Sequence, residues 1–321
     1  MDIVVIAASI AVVTLATTVV HEAGHAVGGI AAGLRFRRLR VGPLQLDDRF
    51  RVSRYRGRGA WFGGAAALVP VNAHHLRPRA VAMILGGSAA NALSAWLCGW
   101  LAAPADPLLR LFIGGSVVAA LLNLLPCRFG SLTLDGWYLM KVLKRGWAER
   151  WLALIRLDAE VSAGTPQESW PAEFLVKATD FRDHSDDTVR AHGLAHAALD
   201  AQGEWDAAAR ALEVCLRQCH LVPLLHRDAL IGDAAVFQGR RRGRADIAER
   251  WLADLSESPA FPAVRARAEA AVLQAHGDRH GALEKLREVE SSLQAIPNDS
   301  LREATLREVR KWVGDLSEAT S

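Results

Sequence analysis

The sequence predicts a mainly α-helical protein in two parts: a three-span membrane core with a small β-hairpin on its cytoplasmic side, then an all-α helical-repeat domain. Three observations predict it. Three apolar segments lie in the first 145 residues, each long enough for a hydrocarbon core of roughly 30 Å, which takes about 20 helical residues. Charge changes sign along the chain: residues 1–145 carry 16 basic and 6 acidic side chains, residues 146–321 carry 22 and 29. The parts are therefore +10 and −7, and are read as domains 1–145 and 146–321 in different solvents. Finally, helix–glycine–helix segments recur in the second part, a pattern of stacked repeats.

The first apolar segment, residues 3–34, contains no lysine or arginine, and Glu22 is its sole acid. It lacks a basic leader and runs far past any cleavage point for a secretory signal, so a retained span is expected. The second covers residues 81–103. The third, from 111 to about 142, is interrupted: an apolar run ends at Pro126, "CRFGSLTLDG" follows, and "WYLMKVL" resumes.

Eleven arginines lie between the first two spans, at residues 35–79, and Lys141, Lys144 and Arg145 follow the third, whereas the link "APADP" has none. Positive charge stays on the cytoplasmic side. The expected topology is a multi-pass protein of the cell (inner) membrane, N-terminus outside and C-terminal domain cytoplasmic.

Within the arginine-rich loop, "RFRRLRVGPLQL" and "DDRFRVSRYRGRG" alternate partly between apolar and basic residues around turn signals, which predicts a short hairpin or small sheet. "AWFGGAAALVP" is short and glycine-rich and is expected to dip into the membrane interface. The basic residues suit the anionic headgroups of the lipid bilayer; no nucleic-acid partner is expected.

Beyond residue 145, "LAHAALDAQGEWDAAARALEVCL", "DAAVFQGRRRGRADIAERWLADL" and "AEAAVLQAHGDRHGALEKLREV" align on Gly203, Gly239 and Gly277, 36 and 38 residues apart. Each reads as a helix, a glycine turn and a second helix. The pattern loosely resembles tetratricopeptide repeats, which implies a concave face for a cytoplasmic protein partner. Cys215, Cys219 and His220 in "CLRQCH" are read as repeat core, and the four cysteines, without metal or disulfide spacing, as reduced thiols.

The chemistry-bearing stretch is "VVHEAGHAVGG", residues 19–29. Ionisable groups at that depth are costly and imply function. On a helix His21 and His25 share one face. His-Glu-x-x-His is the arrangement in which two imidazoles bind Zn²⁺ and the glutamate acts as general base. A third ligand is then needed, with the fourth position left to water. Asp135 in "LTLDGWYLM" has the right type and depth; Asp106 in the short link is the other acid near a span.

These residues resemble the site-2 protease family of intramembrane zinc metalloproteases, in which His-Glu-x-x-His is paired with an Asn-x-x-Pro... Asp-Gly element in a later span. That element stands here as "NLLPCRFGSLTLDG", and "GGSAAN" in the second span resembles the family's Gly-Pro-x-x-Asn. The resemblance covers residues 1 to about 145. It implies that His21, His25 and Asp135 hold one Zn²⁺ per chain, that Glu22 activates water, and that Asn123 binds substrate or stabilises the oxyanion. Three departures stand out: eight residues separate Pro126 from Asp135, Ser88 replaces proline, and Trp137 follows Asp-Gly.

The expected function is cleavage of a membrane-anchored protein substrate within or near its transmembrane segment, with the helical domain recruiting substrate or regulator. The alternative is a non-proteolytic membrane scaffold of the same fold. Each residue also has a plainer role open to it. His21 and His25 could bond between helices, Asp135 could cap the helix starting at Gly136, and Asn91 and Asn123 could bond across spans. The small residues Ala23, Gly24, Ala26, Gly28 and Gly29 are expected to let the third span approach the histidines.

Overall fold

The computed structural model describes residues 3–55, 63–101, 106–129, 132–256, 262–294 and 300–318. The chain divides into two compact units, Met1–Arg156 and Leu157–Ser321. The division falls inside a helix, beyond the charge transition at residue 145.

In the first unit, α1 (Ile3–Ala31) and α2 (Leu76–Leu101) are long and apolar enough to cross a membrane. Much of their apolar surface is uncovered: Ile3, Val4 and Val12 on α1 and Leu93, Trp96 and Trp100 on α2 are each more than half exposed. α3 (Pro107–Asn123) is a shorter apolar helix, about 26 Å long at 1.5 Å per residue. Its start is fixed by Asp106, whose side chain accepts from the Leu108 N–H at 2.8 Å, with Pro107 in the first turn. This is the usual chemistry of a helix N-terminus. It gives Asp106 a structural task and takes it out of the list of candidate ligands.

The third apolar segment is accordingly one helix, a break and a second helix. After Asn123 the strands β5 (Arg128–Phe129) and β6 (Leu132–Thr133) pair as a minimal antiparallel hairpin, and α4 (Asp135–Val142) follows. The extra residues between Pro126 and Asp135 are spent on this hairpin; residues 130–131 at its tip lie outside the described set.

Between α1 and α2 stands a four-stranded antiparallel sheet of order β3-β2-β1-β4. Its strands are β1 (Leu34–Val41), β2 (Leu44–Asp47), β3 (Val52–Arg54) and β4 (Gly64–Pro70). The hairpin expectation holds for β1 and β2, joined at Gly42-Pro43. Residues 64–70, for which no strand was expected, pair with β1 from Leu34↔Pro70 to Val41↔Gly64. Glycine and alanine give no alternation by which a strand could be read there. Residues 56–62 lie outside the described set, as do 102–105 of the α2–α3 link.

Backbones in this unit approach through glycines. A Cβ on Gly24 would sit 2.5 Å from Ala90 Cβ and 2.9 Å from the Gly86 carbonyl carbon, and one on Gly28 would sit 2.6 Å from the Ala82 oxygen. The small-residue face of α1 is therefore closed by α2. The third segment was the expected partner; it gains its own close approach at Gly136, where a Cβ would lie 2.6 Å from the Leu125 carbonyl carbon.

α5 (Trp147–Ala163) begins with an aromatic cluster: Tyr138 of α4 stacks on Trp151 at 5.4 Å, and Trp151 on Trp147 at 5.4 Å. These contacts tie the start of α5 to the apolar unit, which extends to Arg156.

The second unit is helical among the described residues. α6 (Ala172–Asp180) precedes the pairs α7 (Asp186–Ala201) with α8 (Trp205–Arg217), α9 (Leu224–Val236) with α10 (Ala245–Ala253), and α11 (Pro262–Ala275) with α12 (Arg279–Gln294). α13 (Ser300–Glu318) closes the series, its Trp312, Val309 and Leu306 buried with Leu286 and Val289 of α12. Gly203 and Gly277 turn the first and third pairs in the left-handed region, at φ 80° and 86°; in the second pair that residue is Gly243, at φ 61°. Gly239 lies inside a π-helical segment, Phe237–Arg241, where a Cβ would meet the Ala271 carbonyl carbon at 2.8 Å. The middle repeat thus turns four residues later than the glycine alignment implies, because Gly239 serves packing. Cys215 is buried and its thiol donates to the Val189 carbonyl at 3.2 Å.

Candidate metal centre

His21 and His25 follow one another by four residues on the inner side of α1, where their rings meet edge to face at 84° with centroids 4.6 Å apart. Their Nε2 atoms stand 3.1 Å apart. The third vertex arrives from far along the chain: Asp135 Oδ2 is 3.1 Å from His21 Nε2 and 3.3 Å from His25 Nε2. Asp135 opens α4 but makes no cap. The N-cap residue is Leu134, without a side-chain bond, and Asp135 turns to the histidines instead.

This triangle fits a metal. The three residues form a group that could hold an ion. Zinc bonded at 2.0–2.2 Å to tetrahedral donors spaces them by about 3.3–3.6 Å, close to the separations found. Asp135 Oδ2 is buried and turned towards both imidazole Nε2 atoms rather than towards a backbone or other side-chain donor. His25 is set for ligation by its other nitrogen: Nδ1–H donates to the Met83 carbonyl at 2.7 Å, which leaves the Nε2 lone pair for the centre. On α2, Gly87 makes room for both rings; a Cβ there would lie 2.6 Å from His25 Nε2 and 2.7 Å from His21 Cε1.

Glu22 is 7% exposed and shares with the triad a cavity of about 410 Å³, within the range of sites that take a small ligand or a short peptide segment. Its neighbour across the cavity is β4, where a Cβ on Gly64 would lie 2.5 Å from Glu22 Oε1. Asn123, at the end of α3, also lines the cavity. Its amide donates to the Ala119 carbonyl at 3.0 Å, and with two N–H bonds on that nitrogen one stays available to a ligand. All five residues singled out in the sequence, His21, Glu22, His25, Asn123 and Asp135, therefore face one space. His74 and His75 do not: they lie in the loop before α2.

Two parts of this wall were not legible beforehand. Gly64 to Ala66 enter it as part of β4, and Tyr138 and Trp151 form an aromatic side. Trp151 lies past the charge transition and read as part of the soluble domain; the aromatic density of "WYLMKVLKRGWAERW" is the signal that could have placed it. Asn91, fully buried on α2, was singled out only through "GGSAAN" and proves to touch His21, with Nδ2 3.2 Å from Nδ1.

Comparison of the chain with family models, curated proteins and solved structures gave no match.

Proposed function

We propose that residues 1 to about 145 form an intramembrane zinc metalloendopeptidase of the site-2 protease type, which cuts a membrane-anchored protein within or near its transmembrane segment. One observation carries this reading: two imidazole nitrogens and a carboxylate oxygen converge to 3.1–3.3 Å beside a buried glutamate, at one end of a helix whose apolar surface is largely uncovered. Exposed apolar surface on that scale suits lipid contact better than water. In this reading α1, α2 and the segment that begins with α3 are the three spans; the length and apolar character of α1 and α2 support it. Zinc identity is favoured by the donor set, two nitrogens and one oxygen, which is common in zinc hydrolases.

Zinc held here supplies Lewis-acid polarisation of a carbonyl and acidifies water towards a pKa of about 7. The protein's own groups do the rest. Glu22 takes the proton of the attacking water as hydroxide adds to the scissile carbonyl carbon, and returns it to the amide nitrogen as the C–N bond breaks. The free N–H of Asn123 serves the carbonyl oxygen as negative charge develops on it. β4 is an outer strand of its sheet and borders Glu22, so an unwound substrate segment can lie along it and borrow its backbone hydrogen bonds. The helical unit recruits the substrate or a cytoplasmic regulator.

The test is co-expression of candidate single-pass membrane proteins with wild type and Glu22→Gln. The reading expects cleavage products with the wild type, and uncut substrate with a variant that still holds metal. Continued cleavage by Glu22→Gln excludes Glu22 as the base, and metal-free wild-type protein favours the scaffold.

A further inference from the structure

We infer that Asn91 is a positioning residue for the metal centre: its side-chain carbonyl accepts the Nδ1 proton of His21 and thereby presents the His21 Nε2 lone pair to the metal. The inference rests on the metal-site reading of His21, His25 and Asp135.

Asn91 is fully buried; its Nδ2 lies 3.2 Å from His21 Nδ1, while its Oδ1 has no partner. With the amide this way round, Nδ2 donates to an unprotonated Nδ1. A neutral imidazole carries one proton, so the His21 proton then sits on Nε2, pointing at Asp135 Oδ2 and His25 Nε2. That arrangement fills the triangle with a proton and blocks a metal ion. Rotating the amide by 180° exchanges its two ends at nearly unchanged shape. Oδ1 then accepts from Nδ1–H, and Nε2 becomes a free donor atom.

Of the two orientations, one closes the centre with a proton and the other opens it to a cation and gives Oδ1 a partner. His25 shows the open arrangement already, its Nδ1–H held by the Met83 carbonyl at 2.7 Å. A backbone carbonyl has one polarity, so His25 has no second state. His21 is held by a reversible amide, and Asn91 is the member of the pair whose chemistry can be altered by substitution. An outer-shell acceptor of this kind fixes the ring tautomer and raises ligand basicity.

The test is zinc affinity of the full-length protein in detergent, by competition with a chromophoric chelator, for wild type, Asn91→Ala and Asn91→Asp. Asn91→Ala removes the acceptor and should weaken zinc binding roughly 10- to 100-fold. Asn91→Asp keeps an acceptor in the same place and should bind at least as tightly as wild type, although a buried extra charge would harm a residue that only packs. Equal affinity in Asn91→Ala, or an Asn91→Asp as weak as Asn91→Ala, overturns the inference while leaving the metal site standing. Should Asn91→Ala fail to fold, the wild type decides alone: in ¹⁵N-histidine spectra of the zinc-loaded protein the His21 Nδ1 proton should be hydrogen-bonded to Asn91 Oδ1 and slow to exchange with solvent, and an Nδ1 proton that exchanges freely overturns the proposal. A wild type that binds no zinc removes both readings together.

Discussion

His21 Nε2 and Asp135 Oδ2 lie 3.1 Å apart, although 113 residues separate them in the chain. Two close approaches make this possible. α1 meets α2 through Gly24 and Gly86, and the start of α4 tucks under the end of α3 at Gly136. Asp135→Asn preserves size but removes the anionic donor. It should weaken zinc binding by more than the roughly 10- to 100-fold typical of an outer-shell change. Asp106→Asn keeps a good cap and should leave zinc binding unchanged. Calorimetric or chelator titration of the two variants separates ligand from cap.

Glycines on the two sides of the centre should fail differently. Gly24→Ala drives a methyl group against Ala90 and the Gly86 backbone, so it should lower stability by about 1–3 kcal/mol. Gly87→Ala presses on the histidine rings instead and should cost metal affinity with a smaller loss of stability. Thermal unfolding in chelator, followed by zinc titration, measures the two effects independently.

Gly64→Ala places a methyl group against the Glu22 carboxylate. The side chain can turn away, so fold and metal should survive while substrate cleavage falls by at least tenfold, on the order of a lost general base's 10²- to 10⁴-fold contribution. Unchanged cleavage in Gly64→Ala would mean that the Glu22 position seen beside β4 is not the working one.

How much of this was legible in the sequence depends on the kind of signal. His21, Glu22 and His25 could be read because helical spacing and a charge-free apolar surround are both local properties. Asp135 could be chosen by type, by depth and by the Asp-Gly element of the resemblance, and the cap that Asp106 makes at Leu108 N gives the other acid a separate task. β4 was missed because Gly64–Ala67 offers neither alternation nor branched side chains, and strand pairing with β1 is a tertiary fact. Gly239 misled the repeat register for a related reason. A glycine chosen for backbone contact with Ala271 is the same letter as one chosen for a turn, and the positive φ at Gly243 tells them apart.

In the helical unit, burial and, less strongly, Arg182 push His192 down to about 4 from its usual 6.5. The folded state therefore resists a proton that the unfolded chain accepts. The contribution is fully present above pH 6.5 and is lost as pH falls through the window down to about 4, on the order of 3 kcal/mol at the limit. His192→Phe, which cannot be protonated, should reduce the loss of thermal stability between pH 7 and pH 4.5. An unchanged pH dependence in that variant would exclude His192 as its source.

The central claim is that His21, His25 and Asp135 form a zinc site, and metal content tests it most directly. Full-length protein purified in detergent without added chelator should carry about one zinc per chain by elemental analysis, and His21→Ala should carry almost none while keeping the helical circular dichroism of the wild type. Wild-type protein with no zinc, or a His21→Ala variant with undiminished zinc, would contradict it.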